Sequence, residues 1–336
     1  MVQEKKLVEE VSPWLKIYDD GSVNREWTGP DQFKFLVDPV SSHEQFIDGV
    51  ATRDVVIVHG SSNHCVRLYL PEKTPEDSQK LPILLHFQGG GFCISEPDWF
   101  MYYQFYTRLA RSTRSIVVSP FLRRAPEHRL PAAFDDGFET LLWIQTVARS
   151  GSHEPWLEQH ADFGRVFLVG DSSGGNAAHE VAARSGSADL NPVRVAGAIP
   201  IHPGFVRSDR SRSELEMPQS PFLTLDMLDK FLAFSLPVGA TKDHPFTCPM
   251  GTAAPPLERL KLPPVLLFVA EMDLIRDTNM EYYEAMKKAN KNVELYMNKG
   301  MTHSFYLNKV AVDMDPNVSA QTDALITKIK EFIDKH

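Results

Sequence analysis

Short apolar runs punctuate the chain, and the stretches between them repeat their apolar residues at helical spacing. Eight runs predict strands: 55–59, 66–70, 83–87, 115–119, 165–170, 195–201, 265–270 and 293–298. From Ile83 onward the runs are mostly continuous rather than alternating, which marks strands buried on both faces of a parallel sheet. Residues 138–147, 175–183 and 280–288 carry helical periodicity, and the last segment sets Leu325, Ile329, Phe332 and Ile333 on one stripe. Strand–helix alternation over most of the chain predicts an α/β fold, a doubly wound and mostly parallel sheet flanked by helices.

Two regions break the rhythm. Residues 1 to about 50 show no convincing strand pair but carry Trp14, Trp27 and several phenylalanines; residues 204 to about 258 are rich in proline, with a helical patch over 223–236. Both are placed where a lid over an active site would sit; the alternative is surface decoration. With 336 residues, the chain suits one α/β domain, 1–336, bearing such a cap.

Composition narrows the classes of function. The net charge is −9, and basic clusters such as Arg123-Arg124 stand near acids, so nucleic acid is not an expected partner. Cys65, Cys93 and Cys248 are widely spaced and fit neither a metal-ligand pattern nor a disulfide framework; they read as free buried thiols rather than as a nucleophile. No long apolar span, secretory pattern or lipidation motif is seen, so the expectation is residence in the cytosol or nucleus without membrane insertion.

The richest chemistry lies at Gly170-Asp-Ser172-Ser-Gly174, a sharp turn between an apolar strand and a small-residue helix. Glycines two before and two after Ser172 leave room for a strained turn that lifts the hydroxyl above the sheet edge. Ser173 cannot centre the frame, because Asp171 stands where a glycine would be needed. A P-loop would carry lysine after its last glycine, and Asn176 follows instead. The helix start aims amides at the site and favours an anion there.

A serine nucleophile needs a base, and the base an orienting acid. In this class of turn they follow in the order Ser, Asp or Glu, His. Asp273 falls just past the strand at 265–270, while Asp277 is placed to open the next helix as an N-terminal acid. His303 lies in the loop Gly300-Met-Thr-His303 and is the one histidine both downstream of Asp273 and at a strand end; His336 is the terminal residue. The strand ending at Phe87 runs into Gln88-Gly89-Gly90-Gly91-Phe92, where three glycines let backbone amides approach a substrate.

With these residues in view, the chain resembles the hormone-sensitive-lipase-like α/β-hydrolases, and especially the plant carboxylesterases, over almost its whole length. Further matches are Arg123-Arg-Ala-Pro-Glu-His-Arg129, Leu130-Pro-Ala-Ala-Phe-Asp-Asp136, Ala161-Asp-Phe163, Ser213-Glu214 and the run from Asp273 to Asp277. The resemblance implies a triad of Ser172, Asp273 and His303, and oxyanion donors from Gly90, Gly91 and the Ser173 amide. It also implies a cap from the two irregular regions, and hydrolysis of a small apolar ester through a Ser172 acyl-enzyme with no metal or organic cofactor.

The chain departs from the family pattern at Gln88, where histidine is usual, and at Leu122 and Arg124, where tyrosine and leucine are usual. Glutamine can both donate and accept in supporting the loop at Gly89, whereas nearby His86 faces another way on its strand. Two other activities occur among such relatives. Dehydratases and cyclases run eliminations in the same pocket, the dehydratases with threonine for the serine; gibberellin receptors bind a small acid after losing the histidine. Ser172 and His303 set this chain apart from both.

Overall fold

The computed structural model describes residues 5–59, 62–74, 79–150 and 154–336. Its N-terminal strands β1 (Leu7–Val11), β2 (Leu15–Tyr18) and β3 (Val23–Asn24) form a small antiparallel sheet. This corrects the expectation that residues 1–50 hold no strand pair. The strands are short, and a register shift between Leu7 and Glu9 interrupts the alternation by which such strands are read from sequence.

The central sheet takes its eight strands where the apolar runs predict them: β4 (Val50–His59), β5 (Ser62–Pro71), β6 (Leu81–Phe87), β7 (Ile116–Pro120), β8 (Ala161–Asp171), β9 (Val195–Ile201), β10 (Val265–Ala270) and β11 (Val293–Asn298). Their order is β11-β10-β9-β8-β6-β7-β5-β4, with β5 antiparallel to both β4 and β7 and all other pairs parallel. The helices are α1 (Phe100–Thr113), α2 (Ala132–Ser150), α3 (Pro155–His160), α4 (Ser173–Ser185), α5 (Arg212–Glu216), α6 (Leu225–Ser235), α7 (Arg276–Lys288), α8 (Lys309–Met314) and α9 (Pro316–Lys335).

Successive residues of a strand point to opposite faces, and here each face has its own core. Val265, Leu267 and Val269 of β10 join a cluster with residues of α2 and α4; Leu266, Phe268 and Ala270 join another with residues of α1 and α9. That is why β6 to β10 read as continuous apolar runs, while β11, at the sheet edge, is only half-buried over most of its length. The stripe of Leu325, Ile329, Phe332 and Ile333 on α9 is buried as its spacing predicts.

The segments outside the strand–helix alternation meet over one end of the sheet. Trp14 stacks on Trp99 and on Phe222, with ring centroids 6.5 and 6.3 Å apart. Arg129, in the run Arg123–Arg129, donates to the Ala233 and Leu236 carbonyls at the C-terminal end of α6, at 2.7 and 2.6 Å. The parallel strands β6, β8, β9, β10 and β11 end toward this same region, the edge where α/β sheets bind ligands.

Candidate active site

Ser172 joins β8 to α4 at φ 51° and ψ −124°, a backbone state that non-glycine residues rarely adopt. Close packing enforces it. A Cβ on Gly170 would lie 2.0 Å from the Gly174 carbonyl oxygen, and one on Gly174 would lie 2.0 Å from that of Phe87. The turn therefore tolerates only glycine at both positions, and Ser172 is left half-buried, with its side chain at the wall of a cleft.

His303 follows β11 and is 3% exposed, and its Nδ1 lies 2.7 Å from Oδ2 of Asp273, which follows β10 and is 1% exposed. A carboxylate only accepts, so Nδ1 carries the proton and Nε2 of the neutral ring is left with its lone pair. Asp273 is itself held by the Ile275 amide at 3.2 Å. A second histidine backs this pair. His202 Nδ1 accepts from the Ser304 amide at 3.2 Å, so its Nε2 donates to Asn298 Oδ1 at 3.3 Å. Burial pushes the His202 ring down to about 4, keeping it neutral while it braces the loop that carries His303.

The loop after β6 lies against the turn. Gly90, Gly91 and Phe92 all have positive φ, at 94°, 60° and 63°. The Gly90 and Gly91 amides meet no protein acceptor among the described residues. Gln88 donates to the Pro120 carbonyl at 2.7 Å, while its Oε1 is buried without a protein partner. It therefore supports the loop as a donor alone. His86 turns away, as expected, with Nδ1 2.9 Å from the Tyr106 hydroxyl on α1.

These pieces share one cleft. Ser172, Ser173, Gly90, Gly91 and His303 line it beside Trp14, Phe222, Leu228, Phe231 and Leu307. Asp273 stands behind His303, and Gln88 and Gly89 line a smaller hollow beneath the loop. The cleft, about 670 Å³ with its mouth, has a mainly apolar wall. Two groups of three side chains bring possible metal-ligand atoms within 4.8 Å of one another among the described residues. One is His202, Asp273 and His303, in which both His202 nitrogens, His303 Nδ1 and Asp273 Oδ2 are engaged as described above. In the other, with His64 and Glu139, Asp136 is held by the Arg123 guanidinium and amide.

A family model for the alpha/beta hydrolase fold matches residues 84–307. Probable carboxylesterase 6 of Arabidopsis thaliana is 36% identical over 326 residues, 95% of this chain and 91% of that protein. The chain belongs to the plant carboxylesterase branch of the α/β-hydrolases. The 2-hydroxyisoflavanone dehydratase of Glycyrrhiza echinata is also similar, 35% identical over 90% of this chain and 91% of its own. Carboxyl esterase 2 of the mycorrhizal fungus Tuber melanosporum superposes with a TM-score of 0.71 at 21% identity, covering 91% of this chain and 95% of that one, a likeness of fold.

Several residues that shape the site of this α/β-hydrolase carry no signal in the sequence. Tyr102, on α1, accepts from the Gly89 amide at 2.8 Å and donates to Asp171 Oδ2 at 2.9 Å. Burial pushes the Asp171 carboxyl up to about 7, against the opposing pull of that hydrogen bond and of His303. The same holds for His202 and Asn298. Such contacts join elements distant in the chain and leave no mark in its spacing. Asp277 opens α7 as expected, and it also accepts from the Ser213 amide at 2.9 Å, fastening α5 to α7.

Proposed function

We propose that this α/β-hydrolase cleaves small apolar carboxylic esters through an acyl-enzyme on Ser172. The observation that carries the reading is the buried Asp273–His303 pair at 2.7 Å, which opens into the same cleft as the strained Ser172 and the glycine-loop amides. His303 Nε2 takes the Ser172 proton as the hydroxyl attacks the ester carbonyl, and Asp273 stabilises the imidazolium that forms. Amides of Gly90, Gly91 and Ser173 receive the oxyanion; the Ser173 amide is the first of α4, where no intrahelical acceptor waits. His303 then gives its proton to the leaving alcohol and activates the water that frees the acid.

The segments around Trp14 and Phe222 to Leu232 form the cap in this reading. Their side chains set an apolar wall opposite Ser172, which suits an uncharged, hydrophobic ester group. The partner is thus a small molecule, and no helix among the described residues is long and apolar enough to cross a membrane.

The test sets the wild-type protein beside its Ser172→Ala variant with short-chain p-nitrophenyl esters and a fluorophosphonate probe. Turnover and labelling that both vanish in Ser172→Ala are expected. Labelling of wild type without ester turnover would overturn hydrolysis in favour of an elimination, such as the activity for which the Glycyrrhiza relative is named. Loss of both from the wild type would leave only ligand binding.

A further inference from the structure

Two residues flank the nucleophile, and each grips one end of the glycine loop. Before Ser172 stands Asp171, whose Oδ2 accepts the Tyr102 hydroxyl proton at 2.9 Å, while the same hydroxyl oxygen accepts from the Gly89 amide at 2.8 Å. After Ser172 stands Ser173, whose Oγ accepts from the Phe92 amide at 3.1 Å. Gly90 and Gly91 lie between the two fastened residues. The fit at one end is close, since a Cβ on Gly89 would come within 2.6 Å of Asp171 Oδ2.

From this geometry we infer that Tyr102, through Asp171, and the Ser173 hydroxyl are positioning residues that register the oxyanion amides to the nucleophile. This assigns Ser173 a side-chain duty beside that of its amide. The loop has few other restraints. Its three consecutive left-handed residues are otherwise tied by the Cys93 and Ile94 amides, at 3.0 and 3.1 Å from the Gly90 carbonyl oxygen, and by the Ala125 amide, 2.8 Å from the Phe92 carbonyl oxygen. Gln88 holds the strand end through a single donor bond. An oxyanion donor acts only when it lies at hydrogen-bond distance from the developing charge, so a shift of about 1 Å costs up to about a hundredfold in rate. Tying Gly89 and Phe92 to the neighbours of Ser172 makes the loop move with the serine if the turn shifts. The sequence distances, 69 residues from Tyr102 to Asp171 and 81 from Phe92 to Ser173, explain why no local motif announces the device.

The inference rests on the reading of Ser172 as nucleophile, and its test keeps the two apart. Tyr102→Phe retains the ring and removes the bridging oxygen; Ser173→Ala removes only the hydroxyl. Both would be measured with p-nitrophenyl butyrate, with active sites counted by fluorophosphonate labelling. We expect kcat per labelled site to fall about 10- to 100-fold in each, with KM within about threefold of wild type. Affinity for a trifluoromethyl ketone, which forms an oxyanion when bound, should fall in parallel. Amide hydrogen exchange over residues 88–92 should rise in both variants. Unchanged kcat per labelled site, or KM rising in step with the loss, would overturn the inference while leaving the nucleophile in place. If wild type shows no Ser172-dependent turnover, the functional reading fails, and loop exchange still decides: protection equal to wild type in both variants overturns the registration by itself.

Discussion

The distribution of protons around His303 is decided by one side chain. Asp273 is almost completely buried and accepts from Nδ1, so it selects the tautomer that leaves Nε2 able to receive a proton. Replacing the carboxylate by an amide keeps size and most packing but offers the ring a donor in one orientation. Asp273→Asn should therefore lower kcat by about 10³- to 10⁴-fold, with KM changed little, because the ring is then held in the wrong tautomer. The check is steady-state turnover of p-nitrophenyl esters on protein whose melting temperature stays within a few degrees of wild type. A loss of less than about tenfold would show that His303 finds its orientation elsewhere, for example from the loop that His202 braces through the Ser304 amide.

Between single residues and the whole molecule stand the elements that form the cleft wall, and α6 has the clearest support. Its last carbonyls, which have no partner within the helix, are met by the Arg129 guanidinium at Ala233 and Leu236. A cation there also opposes the negative end of the helix dipole. Removing it in Arg129→Met should destabilise the C-terminal turn of α6 and loosen the wall formed by Leu228, Phe231 and Leu232. The expected result is a KM raised several-fold with kcat within about twofold, and faster amide exchange confined to residues 225–236. Loss of kcat without a KM change would place Arg129 in the chemistry rather than in the wall. Elements differ in how far the chain reveals them. Strands β6 to β10 are legible because burial on both faces leaves uninterrupted apolar runs, and α9 because one stripe faces a core. Ser172, Asp273 and His303 are legible because strand ends fix their places along the chain. The sheet β1–β3 is hidden by its shortness and its register shift, and Tyr102 is hidden because it acts across 69 residues on the face of a helix that carries no motif.

At the scale of the molecule, the two cores that sandwich the sheet also enclose titratable groups, and these set how stability follows pH. His86, His179 and His202 are buried, and desolvation pushes their rings down to about 3, 4 and 4. In the unfolded chain each titrates near about 6.5. Below that pH the unfolded chain takes up protons that the folded one refuses, so their contribution is whole above pH 6.5 and is lost as pH falls toward 4 and 3. Asp171 and Asp98 work the other way. Burial raises them to about 7 and about 6, so their contribution is whole below the ordinary carboxyl value and is lost as pH rises through 6 to 7. Three histidines stand against two acids between pH 4 and 6.5, and net destabilisation on acidification is expected. The melting temperature should fall between pH 7.5 and pH 5, by about 2–4 °C for each kcal/mol lost. Two variants separate the contributions. His179→Gln can keep a hydrogen bond to the Tyr282 hydroxyl, now 2.9 Å from Nδ1, yet it cannot titrate, so the fall should become shallower. Asp171→Asn removes an opposing group, so the fall should become steeper. Slopes equal to wild type in both would mean that these groups titrate alike in the folded and unfolded chain, and that the pH dependence of stability arises at the surface instead.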